Sequence, residues 1–148
     1  MTRLVDKVVI YITRGDLLLV FTHPDFPEAG LQVPAGTVEV GEAPTEAARR
    51  EAHEETGLER LSVWAFLGER ERDMREFGRD EVQRRFFFHA RCDDPEAPER
   101  WQWIERFPSE GEAPEVVFEL FWAPLWPAPP GLVAGQGALL GALPRAGD

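Results

Sequence analysis

"GTVEVGEAPTEAARREAHEETGL", residues 36–58, holds the strongest helix signal in the chain and its densest group of acids. Pro44 suits a first helical turn, where its missing N–H costs nothing. Residues 45–56 are nearly all good helix formers. Gly57 is placed to end the helix in a left-handed conformation. On such a helix Glu51, Glu54 and Glu55 lie at i, i+3 and i+4 and share one face. Like charges at that spacing cost about 0.2–0.5 kcal/mol per pair, so the cluster calls for a compensating partner.

The helical wheel sharpens this. With about 100° per residue, the three carboxylates span about 100° of arc, and Arg50 sits at its edge. Ala47, Ala48 and Ala52 lie beside the acids rather than opposite them. The helix can therefore approach a sheet closely while its acids face a cleft. A solvated helix face is the bland alternative. It predicts cations one turn after each Glu, and the sequence does not place them there. A metal cage is the other reading, because clustered carboxylates bind hard divalent cations such as Mg²⁺, Mn²⁺ or Ca²⁺ through oxygen.

Outward from this segment the chain reads as mostly strands. Residues 5–13 and 17–23 flank a turn at 14–16 and predict a hairpin. Residues 24–30 form a loop, and 31–36 a short extended piece. Residues 62–70, 83–91, 101–107 and 116–125 predict further strands, with 71–81 a charged, exposed connection and 93–100 and 109–115 loops. Residues 132–143, "LVAGQGALLGAL", have helical apolar spacing weakened by three glycines and predict a C-terminal helix. The whole predicts one α/β domain over residues 1–148, a mixed sheet covered by helices.

Composition narrows the function classes. The formal net charge is −11, which repels nucleic acid and anionic membranes. A small anionic substrate remains compatible if something local neutralises the acids. Cys92 is the single cysteine, so an intrachain disulfide is impossible and a Cys-rich zinc site is disfavoured. The N-terminal apolar run is short and broken by charges, unlike a signal peptide. No apolar run reaches the length of a membrane span. The expected location is the cytoplasm.

Residues 36–58 resemble the signature of the Nudix hydrolases. Gly36, Glu42, Arg50, Glu51, Glu54, Glu55, Gly57 and Leu58 match in identity and spacing. Ala52 departs where the family prefers Ile, Leu or Val, which removes packing volume but no chemistry. The resemblance implies an α/β/α sandwich with a mixed sheet between helices. It also implies hydrolysis of a nucleoside diphosphate linked to another moiety, with Mg²⁺ or Mn²⁺ as cofactor. Carried over by position, Glu51, Glu54 and Glu55 become metal ligands, one of them also handling the attacking water. The Gly36 carbonyl completes the metal shell, Arg50 orients a glutamate, and Glu42 anchors the loop.

The expected partner is a small nucleotide carrying a diphosphate, not a long nucleic acid or a membrane; relatives in the family are often dimers, which leaves a homodimer open, with no stretch of this sequence marking an interface. A catalytically silent nucleotide-binding protein of the same fold is the alternative. The secondary markers of the ADP-ribose, dinucleoside polyphosphate, NADH and coenzyme A subfamilies are absent, so the substrate stays open. Glu81, Glu112 and Glu115 are candidates for a further acid outside the motif. Arg70, Arg72, Arg75, Arg79, Arg84 and Arg85 are candidate phosphate contacts. Phe26, Trp101, Trp103 and Phe121 are candidate base-stacking groups, with packing the more ordinary role for each. His89 reads as a hydrogen-bonded core residue, His23 and His53 as surface groups.

Overall fold

The computed structural model describes residues 2–105 and 116–145. In chain order the elements are β1 (Arg3–Arg14), β2 (Leu17–Thr22), β3 (Ala35–Thr37), α1 (Pro44–Thr56), β4 (Leu61–Asp73), β5 (Glu81–Cys92), β6 (Arg100–Glu105) and β7 (Val116–Pro124). The strands form one seven-stranded sheet in the order β4-β5-β1-β2-β7-β6, with β3 attached to β1. The β1–β5 pair is parallel and the other pairs are antiparallel. The expected mixed sheet is therefore present.

The run "VVIYI" in β1 is buried on both faces, as expected of a central strand covered on both sides. Val8, Ile10 and Ile12 point into a core shared with Leu19, Phe21 and the alanines of α1. Val9 and Tyr11 point the other way, toward Leu18, Val20 and Phe87. The predicted β1–β2 hairpin forms, but its ladder is short, pairing Thr13 with Leu18 and Arg14 with Leu17. On the β2 side, β3 pairs with Lys7, Val8 and Val9 of β1, while β5 runs along the other edge from Arg3 to Thr13.

Helix α1 forms as its sequence predicts. Pro44 opens it, and the Ala43 N–H donates to Glu46 Oε1 at 3.0 Å. Gly57 closes it at φ 76°, its N–H donating to His53 O at 2.8 Å. Ala47, Ala48 and Ala52 are fully buried, so the helix backbone lies close against the sheet.

The C-terminal segment differs from expectation. Residues 132–143 hold two short 3₁₀ turns, Val133–Gly135 and Leu140–Ala142, rather than a helix. Ala134 and Gly135 both adopt left-handed φ values, 50° and 73°. Each glycine costs a helix about 1 kcal/mol, and the leucines gain their burial without one. Leu139, Leu140 and Leu143 are buried against the Val9 and Tyr11 face, each contributing about 1.5–3 kcal/mol. The sheet is thus covered by helix α1 on one face and by turns on the other. The expected loop at 109–115 lies outside the described residues. Among those described, no helix is long and apolar enough to cross a membrane.

Candidate active site

The site is built where α1, β3 and β6 meet. Strand β6 docks against the C-terminal end of α1 through two indoles. Trp101 Nε1–H donates to Thr56 O at 2.9 Å, and Trp103 Nε1–H donates to Glu54 O at 2.7 Å. Side chains alternate along a strand, so Glu105 falls on the same face as these tryptophans. It meets Glu51 and Glu54 there: one carboxylate oxygen from each of the three lies within 4.8 Å of the other two.

Gly36 makes room for this cluster. A Cβ on residue 36 would sit 2.1 Å from the Glu51 carboxyl carbon, so the carboxylate packs directly on the glycine backbone. Gly36 has no left-handed φ; the requirement is for space.

Arg50 is the strut. Its Nε donates to Glu42 Oε2 at 2.8 Å and its Nη2 to Glu42 Oε1 at 2.9 Å. Nη1 donates to Glu51 Oε1 at 2.8 Å and to Glu54 Oε2 at 3.2 Å, and Nη2 reaches Thr37 O at 3.0 Å. Glu42 also accepts from the Glu39 N–H at 3.0 Å, which ties the loop before α1. One guanidinium thus links the loop, β3 and two acids of the cluster.

The expected residues do not all converge. Glu51 and Glu54 line a cleft of 690 Å³ together with Glu105, Glu39, Arg50 and Thr37. Glu55 does not line the cleft: it is buried next to the cluster, near enough for the Glu51, Glu105 and Glu54 charges to act on it, and its Oε2 accepts the Ala35 N–H at 2.8 Å, which fixes β3 against α1. The same cleft is also lined by Arg3, Lys7, Arg79 and Glu81, with Arg79 and Glu81 4.0 Å apart. Glu81, buried at the start of β5, accepts from Gln83 Nε2 at 2.9 Å. Glu112 and Glu115 lie outside the described residues.

Of the six candidate arginines, Arg79 lines the cleft. Arg72, Arg75 and Arg84 pair with Glu76, Asp73 and Asp6, and Arg70 donates to its neighbour's carbonyl, Glu69 O. Arg85 is buried beside Met74. Phe26 is exposed, and Phe121 lies under the Arg100 guanidinium at 4.6 Å. His89 is buried on Thr13 Oγ1 at 2.7 Å, and His53 is exposed. His23 is half-buried, edge-on to Phe21 and Phe118.

Sequence reading missed Glu105 and Lys7. The signal for Glu105 was the alternation Trp101, Trp103, Glu105, with polar Gln102 exposed between the indoles.

The charges in this cluster are costly as they stand. Burial pushes the Glu51 carboxyl up to about 7, against the pull of Arg50, with Glu54 and Glu105 adding repulsion. Burial and then the Glu54 charge raise Glu105. Burial raises Glu55 well above the usual carboxylate range, with Glu51 adding to it. Glu42 is the opposite case, held to about 2 by its hydrogen bonds from Arg50. A group of converging, desolvated carboxylate oxygens with a glycine backbone beside it is a donor set suited to a hard divalent cation.

Residues 2–140 match the NUDIX domain family. Among solved structures, a MutT NUDIX hydrolase from Burkholderia pseudomallei matches at 20% identity over 96% of this chain and 99% of its own, with a TM-score of 0.63. A UDP-X diphosphatase matches at 20% identity over 95% of this chain and 63% of its own, also with a TM-score of 0.63. A point mutant of the Bacillus subtilis pyrophosphohydrolase BsRppH matches at 27% identity over 64% of this chain with a TM-score of 0.49. This chain spans 54% of that protein's length. With the motif, the sheet and a family match over nearly the whole chain in agreement, the protein belongs to the Nudix hydrolase family.

Proposed function

We propose that this protein is a divalent-metal-dependent pyrophosphohydrolase that cleaves a nucleoside diphosphate linked to another moiety, such as a nucleoside triphosphate or a nucleotide sugar. The observation that carries the reading is the meeting of Glu51, Glu54 and Glu105 beside Gly36, in a cleft also lined by Arg3, Lys7 and Arg79. Glu51 and Glu54, joined by Glu105, would hold Mg²⁺ or Mn²⁺; Glu55 and the Gly36 carbonyl are the further donors that the family motif implies. Such an ion supplies polarisation of phosphoryl oxygens and a bound water of lowered pKa.

The chain's own groups do the rest. Arg50 fixes the Glu51 and Glu54 carboxylates by charge-assisted hydrogen bonds. Lys7 and Arg79, which line the same cleft, hold the phosphate oxygens and orient the chain of phosphates against the acids. Glu55 sets the position of β3, and with it Gly36, through the Ala35 N–H. The acidic surface favours a small substrate over a long nucleic acid, in a cytoplasmic protein.

A substrate panel tests the reading: nucleoside triphosphates, ADP-ribose, nucleotide sugars, dinucleoside polyphosphates and coenzyme A, each with Mg²⁺ and with Mn²⁺. Metal-dependent cleavage of a pyrophosphate bond in one class is the expected result. Tight binding of a nucleotide with no turnover in any class would favour the silent nucleotide-binding alternative.

A further inference from the structure

Next to the cleft lies a smaller chamber of about 280 Å³, and Lys7 and Arg79 line both. Its other polar lining residues are Gln32, Gln83, Arg85 and Gln136. In a chain with 27 acids and 16 Lys and Arg residues, this chamber is lined by three cations and no carboxylate.

Arg85 is the unusual member. It is 6% exposed, and a buried charge is ordinarily paired with an opposite one. No carboxylate among the described residues pairs with it. Its Nε donates to Gln83 Oε1 at 2.9 Å, its Nη1 to Ala134 O, and its Nη2 meets only the Met74 sulfur at 4.0 Å. Glu81, two residues away from Gln83 on the strand, is engaged with the other end of that side chain. Burial lowers the Arg85 pKa, and the charge that adds to this is a like one, from Arg72. Lys7, its direct register partner on β1, differs: it is only half-buried, and the Glu81 and Glu51 charges offset part of its burial cost. Its Nζ donates to Thr37 Oγ1 at 2.7 Å, and no ion pair to it is found among the described residues.

Lys7 and Arg79 also face the main cleft, so the scissile diphosphate accounts for them. Arg85 does not line that cleft and sits one chamber further from the acids. A planar guanidinium with free N–H groups matches a carboxylate or phosphate through two parallel hydrogen bonds.

We infer that Arg85 anchors a second anionic group of the substrate, a carboxylate or a phosphate carried beyond the two phosphates of the scissile bond, and that the small chamber selects substrates by it. This rests on the hydrolase reading of the main cleft only for where the diphosphate lies. The neutral partners Gln83 and Ala134 hold the guanidinium in place without neutralising it. The ligand then supplies the missing counter-charge.

Three pairs of compounds that differ by one anionic group test this: UDP-glucose against UDP-glucuronate, ADP-ribose against ADP-ribose 2′-phosphate, and ADP against ATP. The first reports a sugar carboxylate, the second a ribose phosphate, the third a terminal phosphate. Dissociation constants are measured by calorimetry with Ca²⁺, and kcat/KM with Mg²⁺ and Mn²⁺. In at least one pair the anion-bearing member should bind the wild type about tenfold or more tighter, the range expected of a charged hydrogen bond. Arg85→Gln should bring that ratio down to about threefold or less. Arg85→Lys, which keeps the charge but loses the fork, should give an intermediate ratio and serves if the Gln variant does not fold. Ratios near one in all three wild-type pairs would overturn the inference, and so would a preference that survives unchanged in a folded Arg85 variant. The binding preference without turnover of any compound would sink the hydrolase reading and leave the anion site standing. Turnover without the preference would do the reverse.

Discussion

Arg50 grips Glu42 with two parallel hydrogen bonds, 2.8 and 2.9 Å long, and with its remaining donors holds Glu51 and Glu54. The loop before α1 and the acids within it are thereby one mechanical unit. Glu42 lies eight residues from Arg50 in sequence and does not join the acid cluster; its effect on the site passes through the guanidinium.

Glu42 should therefore show in the acid limb of stability. Its carboxyl is held at about 2 against an ordinary 4.5. A depressed carboxylate stabilises the fold above its unfolded pKa, and that contribution fades as pH falls toward the folded one. Glu42→Gln should cost about 1–3 kcal/mol at pH 7, with the gap to wild type narrowing steadily from about pH 4.5 down to about pH 2. Urea unfolding across that range checks it. A gap as wide at the lowest pH where both fold as at pH 7 would contradict the assignment.

Gly36 should tolerate no side chain. The added Cβ of Gly36→Ala meets the Glu51 carboxyl carbon at 2.1 Å, so the glutamate or β3 must move. Overpacking of this kind costs about 1–3 kcal/mol. The expected outcome is a lower melting temperature together with weakened Mn²⁺ binding, because the displaced group is itself in the acid cluster. Wild-type metal affinity in this variant would count against Glu51 as a ligand.

Glu105 is the acid outside the motif that the fold adds to the cluster. Glu105→Gln should leave the protein folded, since the side chain is only half-buried. It should weaken Mn²⁺ binding by at least about tenfold, read by calorimetry, and lower turnover with it. Unchanged metal affinity would return Glu105 to an ordinary strand position.

Residues 36–58 were legible because their signals are local. Pro44, the alanines, the spaced glutamates and Gly57 all act within a few turns of one helix, and the structure places α1 at Pro44–Thr56. Two things were not legible for the same physical reason, that they depend on distant contacts. On a helical wheel Glu51, Glu54 and Glu55 are near-equivalent neighbours. The wheel carries no information that β3 lies against Glu55 and that the Ala35 N–H donates to one of its oxygens. Glu105 joins the acids only because β6 pairs with β7 and its tryptophans dock on α1. The C-terminal segment misled in the opposite sense. Its leucine spacing suggested a helix, but Ala134 and Gly135 turn the chain left-handed, and the leucines reach the core from turns.

The most direct test of metal-dependent hydrolysis compares wild type with Glu54→Gln on the best compound of the substrate panel, with Mn²⁺ present and after chelation by EDTA. Glu54 is half-buried at the cleft wall, so the variant should fold normally, as circular dichroism would verify. Wild-type turnover should disappear on chelation and return with metal. Glu54→Gln should lose about 100-fold or more in kcat, the scale on which removing electrostatic stabilisation acts. Near-normal turnover in the variant, or wild-type turnover that persists in EDTA, would contradict a metal held by these glutamates.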